Sequence, residues 1–331
     1  MWFPKLIFIA AVCLFLFSCN ESKQNSQSPV SRGSEVLVIV DSVLWESPVG
    51  DTIRKSFAHI LEGLPEAETE FTLIPVFPEY FAKSHQNYRN ILILDMKPEI
   101  KKSRVEILTN KWSEPQRVFK IKAGSDTAFF HVFGQHAEAI KELFNQNERA
   151  YFTIQNAINR NLEAEKTLSE NLGVKMVVSA DFEIEKEDTD FVWLHTKDSI
   201  PGLGIMIYSF PYKDTSQVTT AAVMEMQEKL AARYFGGSKK SISDSARAEY
   251  KPLSSKILYK GMYAIETRGV WNTSGIVTGC PFLNYTIVDA PRQRVVVFNA
   301  YIFNPGKPYR DYLRQLESII WEAEFTGRGR R

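Results

Sequence analysis

The sequence predicts a mixed fold, α+β with an α/β part: an N-terminal β-α-β-α-β unit followed by a largely antiparallel sheet with flanking helices. Three observations predict it. In the first half, dense aliphatic runs at 35–41 (EVLVIVD) and 90–95 (NILILD) alternate with helical stretches, as expected of strands joined by crossovers. Residues 128 to about 172 are then helical in period. After Gly173, short strands follow one another with helices set to the side, which is an α+β pattern.

The elements follow in order. Residues 35–41 lie between Gly33-Ser34 and an acid and read as a buried strand. Gly50-Asp51 opens a helix with Asp51 as N-cap. Its apolar residues Ile53, Phe57, Ile60, Leu61 and Leu64 share one stripe, and Gly63 and Pro65 stop it. A second strand spans 71–77, and a third, 90–95, follows a short helical stretch. Residues 105–108 and 117–121 read as edge or antiparallel strands. The helical region divides in two near Asn145-Gln146-Asn147.

Past Gly173, residues 174–178, 191–195 and 205–210 are short strands, and Gly202-Leu203-Gly204 reads as a turn. A helix from Gln217 to about Phe235 carries Val223, Met226, Leu230 and Tyr234 on one stripe and ends at Gly236-Gly237. Residues 262–271, 276–282, 285–288 and 295–303 form a meander. The last helix begins near Lys307-Pro308, with Tyr309, Tyr312, Leu313, Leu316 and Ile320 inward and Arg310, Arg314 and Glu317 outward.

Ahead of this fold, Met1-Trp2-Phe3-Pro4-Lys5 is an n-region with one positive charge, and residues 6–17 are an unbroken apolar run. The run suits a signal h-region and is too short to span a bilayer. It ends in Leu16-Phe17-Ser18-Cys19, which resembles a bacterial lipobox in which Cys19 is acylated. The expected organisation is a lipoprotein signal peptide at 1–18, a flexible polar tether at 19–34, an α/β half at 35–172, an α+β half at 173–324 and a disordered tail at 325–331.

With 44% hydrophobic and 24% charged residues among 331, the composition is globular. Forty basic residues against 39 acidic ones give a net charge of +1, which excludes strong attraction to a phosphate backbone and speaks against a nucleic-acid partner. Removing the leader removes Lys5 and balances the charge. Three cysteines, one of them in the leader, exclude a disulfide framework.

Several segments together resemble an uncharacterised lipoprotein family of Bacteroidetes, one of the domains of unknown function. They are EVLVIVDSVLWESPVGDTIRKSF (35–57), GLPEAE (63–68), Arg89-Asn90-Ile91, Phe191-Val192-Trp193-Leu194, Arg268-Gly269-Val270-Trp271, Gly279-Cys280-Pro281-Phe282 and YIFNPGKPYRDYLRQLES (301–318). Cys280 stands where the family pattern has a second glycine. The resemblance implies an outer-membrane lipoprotein, held to the lipid bilayer by its N-terminal acyl chains, and carries over no catalytic residue.

No cofactor or metal motif is legible. The histidines (His59, His85, His131, His136, His195) lack the spacing of a zinc-binding helix, and no nucleophile elbow or phosphate loop is present. Cys280, beside Pro281-Phe282, reads as a small buried hydrophobe. The candidate ligand-binding residues are Asp41 and Asp95, each ending an apolar strand. If those strands are parallel, both carboxylates reach the crevice where open α/β sheets take ligands and share a ligand or divalent cation there. Trp45 and Asp51 follow on the same loop. Arg268, on the strand face shared with Glu266, suits a carboxylate or phosphate, or an ion pair with a neighbouring acid. Trp45 and Trp112 are the tryptophans open to sugar stacking. These features favour a non-enzymatic envelope binding or assembly factor whose partner is a protein or glycan. The alternatives are a hydrolase-like enzyme using the Asp41/Asp95 crevice and a glycan-binding surface lipoprotein.

Overall fold

Alternation within the first aliphatic run decides how the N-terminal half is layered. In β1 (Glu35–Ile39), Val36 and Val38 face one way and Leu37 and Ile39 the other, and all four are buried. A strand apolar on both faces belongs in the middle of a covered sheet. The computed structural model describes residues 33–198, 200–234, 252–271 and 280–326. The expected leader, Cys19, most of the tether, Gly236-Gly237, residues 276–279 and residues 327–331 lie outside the described residues. The fold is α+β, built on two large sheets.

The first sheet has five strands, in the order β2-β1-β3-β5-β4. β1 pairs in parallel with β2 (Thr72–Val76) and with β3 (Asn90–Met96), and β3 pairs in parallel with β5 (Arg117–Ala123). β4 (Arg104–Thr109) closes the edge, antiparallel to β5. The expected edge or antiparallel strands are thus β4, the antiparallel edge, and β5, which is antiparallel to β4 but lies inside the sheet, parallel to β3, because Val118 feeds one apolar layer while Phe119 and Ile121 feed the other.

Two helices joined by a close turn follow β1. Asp41 caps the short α1 (Ser42–Trp45), and Ser47 caps α2 (Pro48–Phe57), with Pro48 in the first turn. Asp51 is thus not the N-cap. Ser47-Pro48 supplies the stronger start, and Asp51 pairs with Arg54 at 2.8 Å within the helix. Gly50 is required, since a Cβ there would lie 1.9 Å from the Trp45 carbonyl oxygen.

Ile53 and Phe57 are buried as expected, but α2 ends at Phe57 and Ile60 is 52% exposed. The chain leaves the helix because residues 59–70 fold back on themselves. Leu61 N donates to Glu68 O and Glu70 N to His59 O, and Leu64 turns into the core with Leu61 packed partly buried against it.

The long α3 (Asp126–Ile158) is continuous through Asn145-Gln146-Asn147. These asparagines read as a break, but Asn145 and Asn147 have buried or half-buried polar partners instead of solvent. Asn147 Nδ2 donates to Arg89 O and Asn90 Oδ1, both at 3.0 Å. One residue on, the fully buried Glu148 accepts from Arg89 Nε and Nη2, from Asn90 Nδ2 and from Ser34 N. Ser34, the last residue of the expected tether, is itself buried. The break comes at Asn159–Asn161, where Asn161 caps α4 (Leu162–Leu172) by accepting from Ala164 N at 3.0 Å. Gly173, at φ 57°, ends α4.

The second sheet is antiparallel, in the order β10-β11-β12-β13-β9-β8-β7. It comprises β7 (Phe182–Asp188), β8 (Phe191–Thr196), β9 (Gly202–Pro211), β10 (Leu253–Tyr259), β11 (Met262–Trp271), β12 (Cys280–Asp289) and β13 (Arg294–Phe303). The expected strand at 174–178 shrinks to β6 (Val174–Lys175), which pairs with β14 (Glu324–Phe325). Two expected strands merge into β12. Gly202-Leu203-Gly204 starts β9 and is not a turn. Gly204 is needed there because the Tyr301 ring lies across it, 2.2 Å from where a Cβ would stand.

One face of this sheet packs on α4 and on α6 (Arg310–Glu322), around Leu194, Ile205, Phe298, Leu316 and Ile320. The other meets α5 (Thr220–Tyr234) through Val218, Leu230, Tyr208 and Val297. Cys280 is half-buried against that layer, and burial pushes its thiol up to about 11. The thiolate a nucleophile needs is therefore scarce at neutral pH.

Candidate functional site

The last helix joins the two sheets. Tyr309 and α6 have no cap of their own, so Glu68 supplies one from the other half of the chain. Its Oε1 accepts from Tyr309 N at 2.6 Å and its Oε2 from Arg310 N at 3.1 Å. Arg310 Nη1 donates to Thr69 O and Thr72 Oγ1, and Ser34 Oγ donates to Asp311 Oδ1. α6 thereby lies along the seam between the sheet layers, and α3 packs beside it.

Tyr309, Leu313, Leu316 and Ile320 face inward as predicted, but Arg314 and Glu317, predicted outward, are 5% and 7% exposed. The reason is that α6 is covered on two sides. Arg310, Arg314, Glu317 and Trp321 fall at steps of four, three and four, and this second stripe is a legible sign of a second buried face.

That stripe walls a cleft of about 580 Å³. β10 and β11 close it from one side, α3 from another, and residues 59–62 and Glu70 form its rim. Arg268 anchors one end. Its Nε donates to Glu266 Oε1 and its Nη2 to Glu317 Oε1, both at 2.6 Å. Burial pushes the Glu266 carboxyl up, but the Arg268 charge and its hydrogen bond, with help from Tyr285 and Arg149, hold it below the usual carboxylate range. Burial also works against the charged form of Arg268, and the Glu266 and Glu317 charges outweigh it and raise its pKa. Gly63 has φ +84°, and a Cβ added there would lie 3.1 Å from Arg268 Cβ, so the loop packs this closely on Arg268 only as glycine.

At the other end, Arg314 Nη1 donates to Asn145 Oδ1 at 2.6 Å and Nη2 to Glu70 O at 3.0 Å, with the guanidinium 4.7 Å over the Phe71 ring. Asn145 Nδ2 in turn donates to Glu70 Oε1 at 2.7 Å. Burial lowers the pKa of Arg314, against the pull of Glu148, Glu317 and Glu70. His59 Nε2 stands 3.1 Å from Glu70 Oε2 at the rim.

The strand-end carboxylates occupy a different place. β1 and β3 are parallel neighbours, and Asp41 and Asp95 line one cleft of about 750 Å³ at their carboxyl edge. Asp41 accepts from Val43 N at 2.8 Å. Asp95 is held by Lys120 at 2.9 Å and Lys97 at 3.3 Å. The Lys120 hydrogen bond, against burial, keeps its carboxyl below the ordinary value. Both Asp95 oxygens thus serve lysines. Among the described residues, no three His, Cys, Asp or Glu side chains form a metal-binding group.

The remaining candidates are not brought together. Asp51 sits on α2 beside Arg54. Trp45, half-buried under Arg54, packs against the helix-covered face of the first sheet. Trp112 packs with Phe81 against the opposite face. Arg268 alone of the predicted residues lines the seam cleft, and sequence reasoning missed Glu70, Asn145, Arg314 and Glu317. On α3, Glu142, Asn145 and Arg149 repeat at three and four, which is the signal that was available.

Fold and site together define an α+β chain in two halves with a charged cleft where its last helix joins them. A model described as Domain of unknown function (DUF8532) matches residues 30–157, and one described as Domain of unknown function (DUF4837) matches residues 161–321. The two matches meet at the turn between α3 and α4. No curated protein matches the chain.

Among solved structures, the Saccharomyces cerevisiae Ran-binding protein Mog1p is 8% identical with a TM-score of 0.32, covering 46% of this chain and 90% of that one. LpqN, involved in cell envelope biogenesis of Mycobacterium tuberculosis, is 11% identical with a TM-score of 0.30, covering 46% and 83%. A protein of unknown function from Pseudomonas aeruginosa, PA94, is 13% identical with a TM-score of 0.25, covering 43% and 87%.

Proposed function

We propose that the chain is a lipid-anchored protein of the outer membrane, held by acyl groups on Cys19, that works as a binding or assembly factor in the cell envelope. The observation that carries this reading is the apolar run ending in Leu16-Phe17-Ser18-Cys19 and followed by a polar, aperiodic stretch. More than one acyl chain makes such an anchor stable.

The seam cleft supports the binding half of the reading. Arg268 is bonded to both Glu266 and Glu317, so each carboxylate is engaged by the one guanidinium, an arrangement that holds shape and presents polar groups without supplying a free base or nucleophile. The Asp41/Asp95 cleft favours the enzymatic alternative by placing two carboxylates together. Asp95, with its carboxyl held low by lysines, is poorly suited to donate a proton at neutral pH.

The test is metabolic labelling with a radioactive fatty acid. Cys19→Ala is expected to abolish the label and release soluble or uncleaved protein, and unchanged labelling overturns the anchor. Crosslinking of the native lipoprotein in its envelope tests the binding half. A partner whose capture is lost with Arg268→Ala supports it, and capture indifferent to every seam substitution overturns it.

A further inference from the structure

The described chain begins at one end of the first sheet. Gly33 and Ser34 enter at the amino edge of the parallel strands, just ahead of β1, and are held there. Ser34 N donates to Glu148 Oε2 and Ser34 Oγ to Asp311 Oδ1, both at 2.9 Å, and Gly33 O accepts from Arg310 Nη2 at 3.4 Å. α3 starts at the opposite edge, shortly after β5, and runs back along the sheet until Glu148 meets Asn90, the first residue of β3. Residues 149–158 therefore carry the helix on for about 15 Å beyond the strand starts, at the end of the molecule where the chain enters.

This extension has two faces of different chemistry. Arg149, Thr153 and Asn156 turn towards α6, the first over the Trp321 ring, the second donating to Glu322 Oε1 and the third to Ser318 Oγ. Ala150, Ile154 and Ile158, at steps of four, share another face, and all three are exposed. With Leu162 at the start of α4, the large side chains are 47%, 65% and 66% exposed. Between Arg149 and Arg160 the sequence AYFTIQNAIN holds no acid, lysine, arginine or histidine, although Gln155, Ala157 and Asn159 are exposed as well. The open face of a surface helix ordinarily carries charge. Here it carries isoleucine, alanine and neutral amides.

Resting on the anchored reading above, we propose that this face of α3 lies on the lipid surface that holds the Cys19 acyl chains. Residues 19–32 span no more than about 50 Å even when fully extended, so the acyl groups keep the folded body beside the bilayer. The point where that span ends is pinned to Glu148, one turn before Ala150 and Phe152. Val43 is more exposed, at 76%, but follows the carboxyl end of β1, at the far edge of the sheet. Apolar side chains settle into the boundary between headgroups and acyl chains, where lysine, arginine and acids are costly. A stable interface with another protein takes about 20–30 residues a side, more than this face offers. A lipid surface asks for less, because the anchor presents it at high effective concentration.

The experiment uses the acylated full chain in vesicles of phosphatidylethanolamine and phosphatidylglycerol, doped with a phospholipid that carries a photoactivatable group on its acyl chain. After illumination, trypsin cuts at Arg149 and Arg160 and releases the α3 face as one peptide. That peptide is expected to take up several-fold more probe than the peptides holding Val43 and Leu258, which are 76% and 71% exposed. Ile158→Glu, at an exposed site, is expected to remove the excess while flotation with the vesicles stays unchanged and the chain stays folded. Labelling in equal measure over the three peptides, or an excess that survives Ile158→Glu, overturns the proposal. So does crosslinking of the 150–160 peptide to a second copy of the chain in the absence of lipid label. A chain that incorporates fatty acid and floats with the vesicles but leaves α3 unlabelled overturns this inference and leaves the anchor standing. One that neither incorporates fatty acid nor floats overturns both.

Discussion

Removing the Glu68 carboxylate should loosen the last helix from the rest of the molecule. Glu68 gives one oxygen to Tyr309 N at 2.6 Å and the other to Arg310 N at 3.1 Å, and no side chain of α6 substitutes for it. Loss of a helix cap costs about 0.5–2 kcal/mol, and a carboxylate at a helix N-terminus adds about 0.3–1 kcal/mol through the macrodipole. Glu68 is half-buried, so water replaces part of what is lost, and Glu68→Ala is expected to cost about 2 kcal/mol. Glu68→Gln keeps an acceptor and drops the charge, and should cost about half as much. At roughly 2–4 °C per kcal/mol for a large domain, the alanine variant should melt several degrees lower. Urea titration followed by tryptophan fluorescence, to which Trp321 on α6 contributes, gives both numbers. Alanine within about 0.5 kcal/mol of the parent, the range of an ordinary surface change, or glutamine as costly as alanine, would refute the charged-cap account.

Two further outcomes follow from burial and charge. Phe57→Ala should cost about 3–5 kcal/mol as a core truncation, whereas Ile60→Ala, at a site 52% exposed, should stay within about 0.5 kcal/mol; the reverse order in urea would misplace the end of α2. Because the Glu266 carboxyl is held low in the folded state, its contribution is complete above the ordinary glutamate value of about 4.3 and is lost as pH falls through its lowered value. Stability should therefore drop on acidification in the parent and less steeply in Glu266→Gln, and parallel pH profiles would contradict the assignment.

The sequence made the first sheet legible because buried parallel strands are continuous aliphatic runs, and 35–39 and 90–94 are unmistakable. It also made β8, β9, β11 and β13 legible through their density of branched and aromatic residues. β7 (FEIEKED) and β10 (LSSKILY) stayed hidden because edge strands carry the polar residues that protect them. The uninterrupted α3 was hidden for the opposite reason. Asn145 and Asn147 look like a loop until Glu70, Arg89 and Asn90, distant in sequence, come to meet them. The seam cleft shares that difficulty. Arg268 was legible from its strand face, but Glu70, Arg314 and Glu317 acquire meaning only when a helix thought to have one buried side proves to have two.

The trans-acting cap has a bearing on how the chain comes to be assembled. Glu68, Ser34 and Asn145 are made early, and the helix they hold is among the last segments synthesised. At roughly 5–20 residues per second, the partners of α6 wait many seconds for it. Until then, Glu68 has no helix to cap and Arg268 lacks Glu317. Until Tyr309 is made the early half keeps that surface uncovered, so its completion is timed from the far end of the chain, and a premature stop before Tyr309 leaves both halves without the helix that joins them.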